Sequence, residues 1–451
     1  MGIVTHAWQG REVESLNGWW HTWLDEGADW RGESLLPVDT PARDLPARAP
    51  SAGWHGMEWG MESTRVPGTL EQARPGYHGV AWQWRPVAIP EGWAERTVHL
   101  AIGGARQRVE AFLDERPVGY DVDGLTPFRA DLTPYVRAGG QHELAVRVTN
   151  PGGWTPGGPR GALSWGEARL PGSPDVGGLW GGLALLALPR LRIENVFPVV
   201  RPDGVITVRV ALRNDGAATG ASVHVAVTDA TGRPATGPVE VRADLPAGGD
   251  VAVVVDLAPL VEATPWAVGH GARLYRLSVE VSGAAESDRT DVPLGLRWVE
   301  ERDGQLWVNG APTAPEAYMA LDVGDLVAVT DADAQRVVAR AEAEGARGLE
   351  ATVWPAPPAL LAAADRAGLP VVQTLVGVED MPAAVERAPA GARDLYLRLV
   401  EQRLRRIIQS ARGHPALVAW RLPLPAGAAF AHYARLAREE DPSRPIIPTG
   451  A

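Results

Sequence analysis

The sequence predicts a multidomain β plus α/β protein, in which two antiparallel β-sandwiches precede a run of parallel βα units. Up to about residue 296, short segments of alternating apolar and polar residues are separated by turn residues, which is typical of antiparallel sandwiches. From residue 297, short apolar segments alternate with amphipathic helical segments, a pattern that indicates parallel strands joined by helices. The 451 residues, 45% of them hydrophobic, are enough for two or three domains with their own cores.

The alternating part divides in two. Residues 1–190 contain segments such as RTVHLAIGG (96–104) and HELAVRVTN (142–150). Residues 191–296 repeat the pattern in VITVRVALRN and DVAVVVDLA, and their length of roughly a hundred residues fits an immunoglobulin-like sandwich.

The remaining residues, 297–451, favour five strands, and we expect the first near Pro312. DADAQRVVARAEAEG (331–345) predicts a helix with an Asp cap and a terminal glycine. A longer helix is predicted from a single apolar stripe. That stripe consists of Leu395, Leu399, Leu404, Ile407, Ile408 and Ala411. The segment ALVAW (416–420) predicts a buried strand.

Composition excludes several classes of function. The net charge of −12 with no basic block argues against nucleic acid as a partner. The absence of cysteine excludes disulfides and thiolate sites, and the ten histidines show no ligand spacing, so we expect neither a metal nor a cofactor. The longest apolar run, 251–261, is interrupted by Asp256 and Pro259 and too short for a membrane. No signal peptide is visible at the N-terminus, so we expect a cytoplasmic protein.

Several motifs in collinear order resemble glycoside hydrolase family 2, especially its β-glucuronidase branch. They include REVESLNGWWHTWLD, VPGTLEQ, VEAFLDERPVGYDVDG, GLRWVEERDGQLWVNGAP, GLPVVQT, HPALVAW and DPSRPI. The resemblance implies a jelly-roll, sugar-binding-like sandwich at 1–190, an immunoglobulin-like sandwich at 191–296 and a truncated TIM-type barrel at 297–451.

The same resemblance implies that the catalytic machinery is degenerate. In the family, the strand at 416–420 leads into an Asn-Glu pair whose Glu is the general acid/base, but here these positions are Leu424 and Pro425. Retaining glycosidases need two carboxylates about 5–5.5 Å apart, and proline supplies neither. The sequence after Leu306 is shorter than the ~250 residues of an eight-stranded barrel, and we expect no counterpart of the nucleophile in it.

Other catalytic positions of the family also differ, whereas framework residues match. The family has Arg, Asn and His after the first barrel strand, Arg and His on the second, and an acidic pair on the third. Here those positions are Glu316, Met319 and Leu321, then Glu350 and Val353, then Gln373 and Thr374. The matching framework residues are Gly368, His414, Trp420 and Arg444. We therefore expect the fold to be kept and the chemistry to be lost.

Two acidic residues offer an alternative. Glu316 and Glu350 are expected near the ends of adjacent parallel strands, where they could form a new carboxylate pair. The competing interpretation is two partly solvated acids, one of them paired with Arg347.

The chain has 18 tryptophans, and exposed tryptophan rings can stack on sugar rings. Trp82, Trp84 and Trp93 are expected to pack in the core, because large aromatic residues mostly serve cores. The long Gly- and Pro-rich loop at 151–175 differs, since such loops are often functional. Its carbohydrate-binding candidates are Trp154, Trp165, Glu167 and Asp175. A surface loop without function is the alternative.

Three functions stay open at this point. The chain is a silent relative that binds carbohydrate or assists assembly, an active β-glycosidase that uses noncanonical acids or a partner chain, or a structural remnant of a shortened gene. Five strands cannot close a barrel. We therefore expect open sheet edges beside apolar faces such as Ala416–Trp420, and self-association through them.

Overall fold

The computed structural model describes residues 11–155, 158, 160–266, 272–284, 286–379 and 390–448. Within them the chain forms two antiparallel sandwiches followed by a parallel β/α segment, so the predicted fold class is confirmed. No helix in these described ranges has the length and apolar character needed to cross a bilayer.

The first sandwich packs a four-stranded sheet against a six-stranded sheet. The four-stranded sheet has the order Glu12–Ser15, Leu183–Leu188, Thr97–Ile102 and Phe128–Asp131. The six-stranded sheet has the order Glu62–Val66, Gly18–Asp25, Gly79–Ala88, Gln141–Asn150, Arg108–Leu113 and Arg116–Asp121. Strand alternation sends one set of side chains into the core between the sheets. The outer face of the six-stranded sheet is largely covered by the segment that follows Asp25, which contributes Trp30, Trp54 and Met57.

The second sandwich follows without a linker. One sheet has the order Leu191–Val200, Ile206–Asn214 and Gly249–Leu257. The other has the order Val239–Leu245, Thr219–Thr228, Tyr275–Ser282 and Ser287–Leu294. Apolar residues at every second position close the core between them.

A small antiparallel sheet leads into the parallel segment. Its strands are Val299–Arg302, Gln305–Val308 and Ala311–Pro312. The expectation that the first parallel strand begins near Pro312 is therefore wrong, because these residues turn back on Gln305–Val308. The five parallel strands of the described residues lie in chain order, as Tyr318–Leu321, Gly348–Ala351, Val371–Thr374, Leu417–Leu422 and Ile446–Pro448; they are called the first to fifth parallel strands below.

Four helices in the described residues accompany these strands. They are Asp331–Ala343, Pro358–Ala367, Ala390–Ala411 and Ala428–Glu440. The first helix is capped by Thr330, whose side chain accepts from the Asp333 amide, and not by Asp331 as expected. The predicted stripe on Ala390–Ala411, called the long helix below, faces the core: five of its members are buried and Leu395 is partly buried.

The fourth parallel strand, predicted from ALVAW, is not exposed. Residues 416–420 are completely buried, and the fourth parallel strand is hydrogen-bonded to the third on one side and to the fifth on the other. The expectation of an open sheet edge beside Ala416–Trp420 is wrong, because the fifth strand pairs along that edge. Within the described residues, the first and fifth strands are the outermost strands of this sheet.

The long helix joins the barrel segment to the first sandwich. Arg403 Nε donates to Asp123 at 2.6 Å with both side chains buried, and Arg406 donates to Asp121 at 2.7 Å. Burial raises the pKa of Asp121 to about 6, in spite of the nearby Arg406. The two domains therefore share a charged and buried interface.

Candidate functional site

The carboxyl ends of the parallel strands meet at one edge of the sheet, where sites on this kind of fold are found. Glu350 lies in the second parallel strand and Arg421 in the fourth. Arg421 Nε donates to Glu350 Oε1 at 2.5 Å, and both side chains are mostly buried. The partner of Glu350 is thus Arg421 and not Arg347, and the carboxylate is already neutralised by a cation.

Glu316 does not join Glu350. It is exposed in the short 3-10 turn Pro315–Ala317, before the first parallel strand begins. The residue opposite Glu350 in the first strand is Ala320, which places Glu316 about 10 Å towards the amino end of the sheet. The expectation that both acids lie near the same strand ends is wrong for Glu316, because the strand starts later than predicted. The structure brings no second carboxylate from this position to Glu350.

The remaining degenerate positions carry apolar groups at the carboxyl edge. Leu321 ends the first parallel strand and is buried, and Val353 packs against the core after the second. Leu424 is buried beyond the end of the fourth strand, and Pro425 beside it is exposed. None of these four side chains can transfer a proton at the edge where glycosidase chemistry takes place in the family.

Gln373 and Thr374 are buried in the third parallel strand, and the Gln373 side chain makes structural hydrogen bonds. The Gln373 side-chain oxygen accepts from the Ala356 amide at 2.7 Å, and its nitrogen donates to the Thr374 carbonyl at 2.7 Å. The amide therefore fixes the loop that follows the second strand. Thr374 Oγ1 and the nearby Trp354 Nε1 are buried without a hydrogen-bond partner among the described residues.

The loop at 151–175 is anchored by a residue that the sequence did not single out. Arg106 is fully buried, and its guanidinium donates to Ser173 Oγ at 2.9 Å and to Asn150 Oδ1 at 3.1 Å. It also donates to the carbonyls of Gly152 and Val176. Both ends of the loop are thus tied to one side chain. Nothing in the local pattern around Arg106 distinguishes it from an exposed arginine.

Two predicted binding residues meet in this anchored loop. Asp175 N donates to the Trp154 carbonyl at 3.0 Å, and Trp154 forms a bridge with Pro174. The Asp175 carboxylate lies 2.7 Å from His78 Nε2, and the Arg160 guanidinium stacks on the Trp154 ring at 4.5 Å. His78, Trp154 and Asp175 are called the rim cluster below. His78 is 97 residues from Asp175, so no local sequence pattern marks it as part of this cluster.

The other two binding candidates in the loop are Trp165, which is buried, and Glu167, which is exposed in a turn. Trp165 is buried, packs edge-on against Trp30 at 4.7 Å and donates to the Glu33 carbonyl at 2.9 Å. It is a core residue and cannot stack on a sugar, so that expectation is wrong. Glu167 is exposed in the turn of a hairpin, Leu163–Trp165 and Ala168–Leu170, so the loop is not devoid of secondary structure.

The loop also reaches the carboxyl edge of the parallel sheet. Trp180, five residues beyond the loop, packs edge-on against Trp354, which follows the second parallel strand, at 5.1 Å between ring centres. A Cβ atom built on Gly377, after the third strand, would lie 2.9 Å from Pro171. The end of the loop and the residues that follow it therefore lie against the loops that follow the second and third parallel strands.

The framework residues form two buried networks. His414 Nδ1 lies 2.6 Å from Asp365, which also accepts from the Ala416 amide. Asp441 accepts from Trp420 Nε1 at 2.8 Å and from Arg444 at 2.6 Å. These contacts hold the fourth parallel strand in place. His414, Trp420 and Arg444 therefore have a structural role that accounts for their match to the family. Among the described residues, no three histidine, aspartate or glutamate side chains are grouped so that they could hold a metal ion.

Comparison with known proteins shows which proteins this arrangement resembles. Residues 13–158 match the description "Glycosyl hydrolases family 2, sugar binding domain". A β-galactosidase of Aeromonas hydrophila is 26% identical over 385 residues, which cover 80% of this chain and 35% of that protein. The β-galactosidase large subunit of Latilactobacillus sakei is 27% identical over 327 residues, or 66% of this chain and 48% of that protein.

Solved structures show the same fold over almost the whole chain. A β-glucuronidase of Bacteroides uniformis matches with a TM-score of 0.74 and 19% identity, covering 97% of this chain and 52% of that one. A β-galacturonidase of Eisenbergiella tayi, solved with bound galacturonate, matches with a TM-score of 0.74 and 18% identity, over 97% of this chain and 71% of that one.

Residues 13–158 thus match the sugar-binding domain of glycoside hydrolase family 2. The chain as a whole is similar in sequence to β-galactosidases and has the fold seen in β-glucuronidases. It spans about a third to a half of the length of the curated relatives described above.

Proposed function

We propose that this chain is a carbohydrate-binding member of family 2 that does not hydrolyse glycosidic bonds by itself. The observation that carries the proposal is the carboxyl edge of the parallel sheet, where Glu350 is bound by Arg421 and no second acid is supplied by Glu316. Retaining hydrolysis needs two carboxylates about 5–5.5 Å apart, and of the two candidate acids only Glu350 lies in a parallel strand. Pro425 stands where the resemblance places the general acid/base.

The rim cluster is the ligand-binding part of this proposal. Trp154 offers a half-buried ring in the loop whose Asp175 carboxylate pairs with the His78 imidazole, and sugars combine apolar CH faces with hydroxyl groups. Because Arg106 ties down both ends of the loop, little conformational entropy is lost when a ligand binds there.

A hydrolysis assay with aryl β-glucuronides and β-galactosides tests whether the chain lacks glycosidase activity. We expect no turnover, since general acid/base assistance alone contributes about 10²–10⁴-fold. Turnover that Glu350→Gln abolishes, and that Glu342→Gln on an exposed helix face leaves intact, would overturn the proposal in favour of an active glycosidase.

Calorimetry with uronic acid and galactose oligosaccharides tests the binding. We expect Trp154→Ala to weaken binding about tenfold. The matched control is Trp307→Ala, because Trp307 is also half-buried and also stacked by an arginine, Arg302, at 5.0 Å. If both variants lose the same affinity, or if the parent chain does not bind, the remaining interpretation is that the chain is a structural remnant.

We also propose that two copies associate through the parallel sheet. Among the described residues, the first and fifth strands are each hydrogen-bonded to one neighbouring strand, and free sheet edges are templates for pairing with another chain. Symmetric dimers are the commonest homo-oligomers, so we expect a dimer.

A further inference from the structure

Five large apolar side chains are strongly exposed in the part of the chain that the structure describes. They are Trp19 at 64%, Trp59 at 83%, Met61 at 44%, Val254 at 60% and Val261 at 71%. The two valines lie in the second sandwich. The other three all lie at the same edge of the six-stranded sheet in the first sandwich.

The edge strand and the turn that enters it bring these three side chains to one margin of the sheet. Trp19 lies opposite Arg65, and Met61 directly precedes Glu62, which lies opposite Thr22. Trp59 stands in the turn two residues before Met61. The adjacent Glu58 lies close enough to Glu143 to act on its charge, as His21 does, so this turn runs near His21. Trp19, Trp59 and Met61, with the flanking His21 and Arg65, are called the aromatic strip below.

The strip is the uncovered margin of a larger aromatic face. Trp82, in the middle of the sheet, is buried beneath Trp54 at 5.1 Å and beside Phe112 at 5.2 Å. The covering segment ends at the edge strand Glu62–Val66. Aromatic side chains therefore continue outward from the covered centre to an open edge.

The size of the strip argues against a protein as its occupant. At the measured exposures, the two tryptophans and the methionine present about 400 Å² of apolar surface. A stable protein interface needs roughly 800 Å² from each partner. Strand pairing is also disfavoured, because the edge strand carries exposed charges at Glu62 and Arg65, a common protection of sheet edges.

The chemistry of the strip suits a chain of pyranose rings. Sugar rings pair an apolar CH face with a periphery of hydroxyl groups, and tryptophan rings offer the matching apolar surface. Between the rings lie donors and acceptors, namely His21, Ser63 and Arg65. Arg65 stacks on Trp19 at 5.6 Å and has no ion pair with an acidic group among the described residues.

We propose that the aromatic strip is a second carbohydrate-binding surface, for a polysaccharide chain, separate from the rim cluster. The separation follows from register. Asp25 pairs with Val80 next to His78, whereas Trp19 lies six residues earlier on the same strand, about 20 Å away. A polymer held at the strip leaves the rim cluster free for a chain end or a branch.

Affinity electrophoresis through gels containing xylan, mixed-linkage β-glucan or polygalacturonate tests the proposal. We expect at least one polymer to retard the chain. The double variant Trp19→Ala/Trp59→Ala should lose at least about tenfold in affinity. Val254→Ala/Val261→Ala removes comparable exposed apolar groups elsewhere and should migrate like the parent. Trp154→Ala should also keep the retardation, which separates this surface from the rim cluster.

Three results would overturn the assignment. They are migration unaffected by all three polymers, retardation that persists unchanged in the tryptophan double variant, and self-association that the same double variant abolishes. The last would identify a second copy as the occupant. If Arg65→Gln selectively weakens retention by polygalacturonate, the surface binds acidic polymers. If Arg65→Gln does not change retention, the surface binds neutral polymers. Both results support the proposed surface.

Discussion

At the scale of single residues, the charged groups that decide this structure are buried ones. Arg106 and Arg403 are fully buried, and each organises contacts between segments far apart in sequence. Burial lowers the pKa of Arg106 to about 9, because the charged form loses hydration. Buried charges of this kind are expensive to leave unpaired.

Replacement of Arg106 by methionine should destabilise the first sandwich by about 3–5 kcal/mol, because Ser173, Asn150 and two carbonyls lose their donor. Urea unfolding followed by circular dichroism measures the change. Arg116→Met on an exposed strand position should stay within about 0.5 kcal/mol. An equally small effect at Arg106 would show that water replaces its bonds and that the loop does not depend on it.

His99 predicts how stability responds to acid. Burial, reinforced by Arg129, lowers the pKa of His99 to about 4, whereas an unfolded histidine titrates near 6.5. Between these values the unfolded chain binds more protons. Stability present above pH 6.5 is therefore lost as the pH falls towards 4, by up to about 3 kcal/mol.

The variant His99→Gln should flatten this part of the stability profile in urea titrations from pH 7 to pH 4. His224→Gln at an exposed position should keep the parental slope. A parental slope in His99→Gln would assign the acid sensitivity to other groups.

At the scale of elements, helix ends and strand ends are set by specific contacts. Gly368 ends the helix Pro358–Ala367 with φ of 73°, a left-handed conformation that favours glycine. Its amide donates to the Ala364 carbonyl, and the third parallel strand starts three residues later. The cap thus sets where that strand enters the sheet.

Gly368→Ala should lower the free energy of unfolding by about 1 kcal/mol, because a Cβ atom is strained in this conformation. Gly391→Ala, within the long helix and with open space around it, should be neutral or slightly stabilising. Thermal denaturation of both variants measures the contrast. Identical melting temperatures would contradict the role of the cap.

The sequence predicted the sandwiches, the helices and the stripe on the long helix, because these depend on periodicities of two and 3.6 residues. It missed the start of the first parallel strand, since a two-residue pairing at Ala311–Pro312 leaves no periodic signal. It also missed the contact of Glu350 with Arg421, which lie 71 residues apart. Local pattern could not separate buried Trp165 from half-buried Trp154, because both stand in the same Gly-rich stretch.

At the scale of the whole molecule, the open parallel sheet predicts self-association. Sedimentation velocity at micromolar concentration should show a dimer. The amide of Ile446 should gain protection from hydrogen exchange as concentration rises, because it points away from the fourth strand and pairing across the fifth strand would bury it. A monomer with this amide already protected would show that the chain covers its own edge.

The buried pairing of Asp121 and Asp123 with the long helix limits how this architecture can be recombined. A first sandwich grafted onto a foreign catalytic domain would carry two buried carboxylates without counterions, at a cost of several kcal/mol. Exchange of this module between relatives is therefore restricted to acceptors that present arginines at the positions of Arg403 and Arg406. In evolutionary terms, we expect the sandwich and the barrel segment to be inherited as one unit.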